Sequence, residues 1–157
     1  MRRVDDGIHV AIASYGRAGM IRSLDVFPFA WVWCCERERA QYEAAYPGRV
    51  IAIPDAEDGS IARKRNAILN RAPFDWVLIL DDDIKGIGMF DAGSKVKLQP
   101  ESLVAVIEHH FALAEGLGAR FWGIQSFSDP MLYDSYEPFN LLGMINEGWE
   151  NGTAFWP

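Results

Sequence analysis

Residues 75–86 read DWVLILDDDIKG. Trp76, Val77, Leu78, Ile79 and Leu80 run without a break into Asp81, Asp82 and Asp83. An apolar run of this kind reads as a strand covered on both faces. Adjacent carboxylates repel, and each raises the pKa of its neighbours. A metal ion, a cationic side chain or solvent must therefore offset the charge that collects at the strand's end.

Working outward, similar apolar runs recur at IHVAIAS (8–14), AWVWCC (30–35), RVIAIPD (49–55) and RFWGIQSF (120–127). Helical signals fall between them. A short helix is expected through Met20 to Leu24, and a charged one in ERERAQYEAAYPG (36–48), stopped by Pro47-Gly48. GSIARKRNAILNRAP (59–73) has Ser60 as N-cap and Pro73 as stop. QPESLVAVIEHHFALAEGLG (99–118) opens with Pro100 and sets Leu103, Val104, Ile107, Phe111 and Ala114 at helical spacing. Residues 84–98 read as irregular. Alternation of this kind predicts an α/β fold, a parallel-rich sheet with helices on both faces. Ligands of such sheets bind beyond the carboxyl ends of the strands. That rule gathers Ser14, Tyr15, Gly16 and Arg17, then Glu36, then Asp81, Asp82 and Asp83 onto one rim.

Composition narrows the function. The 157 residues fit one domain, and half are apolar, with six Trp and nine Phe, which argues against a disordered chain. A formal net charge of -7 does not indicate a nucleic-acid groove, because phosphate binding is led by Lys and Arg. No run approaches the ~18 apolar residues of a membrane span. Asp5 and Asp6 interrupt the start MRRVDDGIHVAIAS, a poor secretory signal. Cys34 and Cys35 are neighbours whose side chains point to opposite faces of a strand, so they read as reduced core thiols of a cytoplasmic protein. His9 lies inside a strand and reads as a core histidine. His109 and His110 are adjacent on a helix with no spaced third ligand.

On a wheel of 100° per residue, Ile61, Ala62, Ile68, Leu69 and Ala72 form the apolar arc of the helix at 60–72. Arg65 falls in the middle of that arc. A guanidinium there needs a charged partner, either the carboxylates of the next strand or an anionic ligand held between them. Snorkelling at the helix edge, or a purely structural bridge to Asp81, is the plainer alternative. The Asp triplet has a plain reading too, a solvated turn. Its D-x-D spacing, with Asp81 and Asp83 on one side, favours oxygen ligation of Mg²⁺ or Mn²⁺ shared with substrate phosphates.

HVAIASYGRAG (9–19), GSIARKRNAILNRAPFDWVLILDDDI (59–84) and RFWGIQSF, in this order, resemble the amino-terminal half of a GT-A-fold glycosyltransferase over about residues 8–127. The family's "ARN"-like element is spelled Arg65-Asn66 within ARKRN, and its D-x-D motif is Asp81-Asp82-Asp83. The segment GARFWGIQSF…MLYDSYEPFNLLGMINEG (118–148) is similar to a phage-type subgroup. The resemblance implies metal-dependent transfer of a sugar from a nucleoside diphosphate sugar, UDP-sugar favoured, to an acceptor the motifs do not specify. It implies Asp83, with Asp81, as ligands of Mn²⁺ or Mg²⁺. It further implies Ser14, Tyr15, Arg17, Glu36, Arg65, Asn66, Asp81 and Asp82 around the nucleotide sugar.

In the family an acidic segment downstream of D-x-D supplies the base of inverting enzymes. Here the chain runs to ENGTAFWP (150–157) without a clear equivalent, and Glu147 and Glu150 are the nearest candidates. The expectation is one GT-A-like domain over 1–157, lacking the acceptor-side portion. Two other functions compete. A non-catalytic nucleotide-binding GT-A domain accounts for the missing carboxylate. A phosphatase of the haloacid-dehalogenase type also places D-x-D after an apolar strand, but usually the first strand of the domain, and Lys85 stands where Thr or Val is expected.

Overall fold

The computed structural model describes residues 3–91, 94–123 and 153–155. In chain order the elements are β1 (Arg3–Val4), β2 (Gly7–Ala13), α1 (Ser23–Val26), β3 (Trp31–Cys35), α2 (Arg39–Ala45), β4 (Val50–Ile53), α3 (Ile61–Arg71) and β5 (Trp76–Leu80). There follow β6 (Gly88–Asp91), β7 (Ser94–Lys97), α4 (Pro100–Gly116), β8 (Phe121–Gly123) and β9 (Thr153–Phe155). Single turns of 3₁₀ helix, Glu36–Glu38 and Asp55–Glu57, cross the carboxyl ends of β3 and β4.

The main sheet runs β4-β3-β2-β5-β9-β8, with β1 added beside β2. Strands β2 to β5 are parallel, and β2 sits between β3 (Ala11↔Trp31) and β5 (Ile8↔Trp76 to Ile12↔Leu80). The α/β class and the parallel centre expected from the apolar runs are therefore present. From β2 the chain steps outward through β3 and β4, then returns along α3 to the other flank of β2. The gap between the ends of β2 and β5 is thus the switch point of the sheet, where such folds form a crevice.

Period-two alternation divides the core. Ile8, Val10, Ile12, Leu78 and Leu80 face Tyr42 of α2 and Leu103, Ile107 and Phe111 of α4. Ala11, Ala13, Val77 and Ile79 face Ala67 and Ile68 of α3. Both faces are covered, which is why β2 and β5 read as unbroken apolar runs rather than alternating ones. His9 is a core histidine: the Trp33 indole N–H donates to its Nε2 at 2.9 Å, and burial lowers its pKa to about 4. Cys34 and Cys35 are buried free thiols, raised to about 11 and about 12, in both cases chiefly by burial.

Three features differ from expectation. The short helix begins at Ser23 rather than near Met20. The stretch at 84–98 contains an antiparallel pair, β6 with β7, separate from the main sheet. The strand expected over 120–127 is β8 for its first described residues, and it pairs with β9 rather than with β5. β9 is antiparallel to both neighbours, so the sheet is mixed at that flank. Residues 124–127 lie outside the described residues, as do Glu147 and Glu150.

Candidate functional site

The site is built around the turn that leaves β5. Its backbone is pinned to α1: Ser23 Oγ donates to the Asp81 carbonyl at 2.5 Å and accepts the Ile84 N–H at 2.9 Å. The N–H groups of Arg22 and Ser23 donate to the Asp82 carbonyl at 2.9 and 3.3 Å. With the backbone held, the three carboxylates diverge. Asp81 Oδ1 meets Arg65 Nη2 at 2.8 Å. Asp82 is the buried member, accepting from Ser14 Oγ at 2.7 Å and Arg17 Nη1 at 2.6 Å. Asp83 has a side chain 60% exposed and lies 3.8 Å from the same Arg17 nitrogen.

The loop after β2 forms the facing wall. Ser14 Oγ shares a 2.8 Å hydrogen bond with the Tyr42 hydroxyl, which also accepts the Arg17 N–H at 3.0 Å. Gly16 has φ +65°, a conformation that strains any side-chain-bearing residue, and its N–H donates to Glu38 Oε1 at 3.0 Å. Tyr46 accepts the Ile21 N–H at 2.9 Å. Two tyrosines of the β3–β4 crossover thus fix the loop that carries Tyr15 and Arg17.

Lys64 forms the floor. Its side chain is only 3% exposed, and Nζ donates to the Ser14 carbonyl at 2.5 Å while lying 3.4 Å from Asp58 Oδ1. Tyr15 is 61% exposed, and its ring has Lys64 Nζ at 5.4 Å and the Arg37 guanidinium at 5.5 Å from its centroid. Arg37 Nη2 also meets Asp58 at 3.1 Å. Burial pushes the Asp58 carboxyl up, but Lys64 and the Gly59 N–H outweigh it and hold the pKa below the ordinary value. Asp58 is therefore ionised at neutral pH.

The strand ends, the Ser14–Arg17 loop and the Asp58–Lys64 segment line a cleft of about 650 Å³ at the switch point. Of the residues singled out from sequence, Ser14, Tyr15, Arg17, Asp81, Asp82 and Asp83 meet there, with Arg65 behind Asp81. Glu36 and Asn66 do not line it. Glu36 is exposed and pairs with Arg39 at 3.5 Å. Asn66 borders a separate depression of about 460 Å³ with Arg63, Asn70 and Arg71. Arg37, Asp58 and Lys64 escaped the sequence reading. A wheel phased on Ile61 and Ala62 hides Lys64, because those two residues are exposed and the buried arc is Lys64, Arg65, Ala67 and Ile68.

Among the described residues no three His, Cys, Asp or Glu side chains converge as a ready metal cage. A Mg²⁺ or Mn²⁺ ion shared with phosphates needs only one or two protein carboxylates. Asp83, at the cleft mouth with a 3.8 Å ionic contact, and Asp81, 27% exposed, have the oxygen chemistry for that arrangement. The residues present therefore fit such an ion.

The fold and site define an α/β chain with a polar, carboxylate-rich cleft at the carboxyl ends of parallel strands. Comparison with protein-family models, with curated proteins and with solved structures finds no match to this chain. No helix among the described residues is long and apolar enough to cross a membrane.

Proposed function

We propose that this chain binds a nucleoside diphosphate sugar, UDP-sugar favoured, with Mn²⁺ or Mg²⁺, and transfers the sugar to an acceptor. The observation that carries this reading is the convergence of Asp81–Asp83 with the Ser14–Arg17 loop at the switch point, in the order the GT-A resemblance implies. Charge supports the metal. Four cations around the cleft, Arg17, Arg37, Lys64 and Arg65, meet five carboxylates, Asp55, Asp58, Asp81, Asp82 and Asp83. A diphosphate entering that balance adds negative charge without a counter-ion, so a divalent cation is needed to hold it.

In the transfer, an acceptor oxygen forms a bond to the anomeric carbon as the bond to the diphosphate oxygen breaks. The electron pair leaves with the nucleoside diphosphate, and the acceptor proton passes to a base. A bound divalent ion supplies Lewis-acid stabilisation of the departing charge. Arg17, half-exposed at the cleft wall, supplies a guanidinium toward the phosphates. Tyr15 offers its exposed ring as a stacking surface for the base. Asp81 and Asp83 would hold the ion, and Asp82, with Ser14, keeps the wall in register.

Calorimetry with UDP, GDP and several nucleotide sugars, with and without Mn²⁺, tests the binding. Metal-dependent uptake of one nucleotide is expected, and its absence for all of them would refute the reading. Binding without turnover is a second reading with its own support. The buried carboxylates of the cleft, Asp58 and Asp82, are both already engaged by cations, which leaves neither well suited to accept the acceptor proton. Nucleotide binding with neither transfer nor donor hydrolysis would select it.

A further inference from the structure

Arg17 combines a fixed backbone with a half-exposed head. Its N–H is held by the Tyr42 hydroxyl and the preceding Gly16 by Glu38, so the Cα has little freedom. Its side chain is 48% exposed, whereas those of Arg65 and Lys64 are 8% and 3% exposed. The same nitrogen, Nη1, lies 2.6 Å from Asp82 Oδ1 and 3.8 Å from Asp83 Oδ2. A guanidinium in that position competes with any other cation for the same oxygens.

We propose that Arg17 makes the cleft selective for a metal–diphosphate complex over a bare divalent ion. In the free chain its guanidinium is the counter-ion of Asp82 and Asp83, and it leaves them only when phosphate oxygens offer it a bidentate partner. Asp82 tolerates the departure because Ser14 Oγ still donates to its other oxygen, Oδ2, at 2.7 Å. Without phosphates, displacing Arg17 would set a cation against a cation in a confined cleft. The inference rests on the metal–nucleotide reading above and assigns it an order: the ion arrives with its diphosphate.

The test follows Mn²⁺ binding by the free-ion paramagnetic resonance signal, with no turnover required. Wild-type protein, Arg17→Gln and Arg17→Lys are titrated without nucleotide and then with UDP, folding being checked by circular dichroism. Arg17→Gln should bind bare Mn²⁺ roughly tenfold tighter than wild type, because a competing charge is gone. Arg17→Lys, which keeps the charge, should stay near wild type. UDP should raise wild-type Mn²⁺ affinity roughly tenfold or more, and Arg17→Gln should lose most of that coupling. Unchanged or weaker bare-metal binding by Arg17→Gln overturns the proposal, and so does wild-type protein that binds Mn²⁺ equally well with and without UDP. If Arg17→Gln fails to fold, Arg17→Ala takes its place as the charge-free variant, with the same outcomes. If wild type takes up no UDP even with Mn²⁺, the nucleotide reading itself has failed. If it binds Mn²⁺–UDP but Arg17→Gln gains no bare-metal affinity, only the role of Arg17 is lost.

Discussion

Removing the charge of Arg65 should reveal how the end of β5 is held. The Arg65 side chain is 8% exposed, Asp81 is 27% exposed, and they meet at 2.8 Å. Breaking a buried ion pair by deleting one partner costs about 3–5 kcal/mol. Exposed pairs contribute only about 0.2–1 kcal/mol. Asp81 keeps part of its hydration, which places this pair between the two limits, at a coupling of about 2 kcal/mol. The single substitutions are not equivalent. Arg65→Met leaves Asp81 charged beside Asp82 and Asp83 with its cation gone. Asp81→Asn instead removes one charge from a crowded turn but takes this carboxylate from the nearly buried Arg65 guanidinium, so both single substitutions should destabilise, for different reasons.

The assay is urea unfolding of wild type, both single variants and the double variant, at constant m. Destabilisation of about 2–3 kcal/mol is expected for Arg65→Met. The double variant should lose about 2 kcal/mol less than the sum of the singles. A coupling below about 0.5 kcal/mol would mean that Arg65 only snorkels past the helix edge, and the account of the turn would be wrong.

Three further outcomes follow from the same geometry. Asp58, depressed below its ordinary value of 3.8, contributes stability that is present above that pH and lost as pH falls through its lower folded value. Lys64→Met should therefore shift acid unfolding to higher pH, and coincident acid midpoints would contradict the Lys64–Asp58 pairing. His9, lowered from 6.5 to about 4 by burial, stays neutral while the unfolded chain takes up a proton. Stability should fall by about 3 kcal/mol in total as pH drops through that window, and His9→Gln, read by urea midpoints at pH 7 and pH 5, should flatten the slope. Tyr42→Phe removes a hydroxyl bonded to Ser14 and to the Arg17 N–H. It should cost about 1–2 kcal/mol and speed hydrogen exchange at the Arg17 amide, and unchanged exchange would show that Tyr42 does not fix the loop.

The fold was readable where local physics acts alone. Ser60 does cap α3, accepting the Arg63 N–H at 3.2 Å, and α3 ends just before Pro73. Apolar runs covered on both faces marked β2, β3 and β5. By contrast, β9 has three residues and no period to detect, and its place between β5 and β8 comes from long-range pairing. The site was half readable for a similar reason. Arg65 stood out because a charge broke an apolar arc. Lys64 did not, because its partners, Ser14 and Asp58, lie on other elements and turn an apparently polar position into an interior one. Glu36 seemed apt at the end of β3, yet the 3₁₀ turn there brings Glu38 to Gly16 and leaves Glu36 on Arg39.

Three consecutive carboxylates need not act as one group. Separate elements answer them: Asp81 is met by Arg65 from α3, Asp82 by Ser14 and Arg17 from the β2 loop, and Asp83 by solvent and the edge of Arg17. Ser23 makes this possible by holding the turn through both its hydroxyl and its N–H, so the side chains diverge instead of stacking their charge. Repulsion is reduced by direction as well as by counter-ions. The consequence for chemistry is a division of labour within the triplet. Asp82 is committed to the wall, Asp81 is partly committed to α3, and Asp83 keeps the exposure a metal–phosphate ligand requires. Substituting the three in turn should therefore give three different phenotypes: Asp82→Asn loosens the Ser14–Arg17 loop, Asp81→Asn relaxes α3, and Asp83→Asn leaves stability nearly unchanged while abolishing metal-dependent nucleotide uptake in calorimetry. Equal effects from all three would show that the triplet acts as a single charge cluster after all.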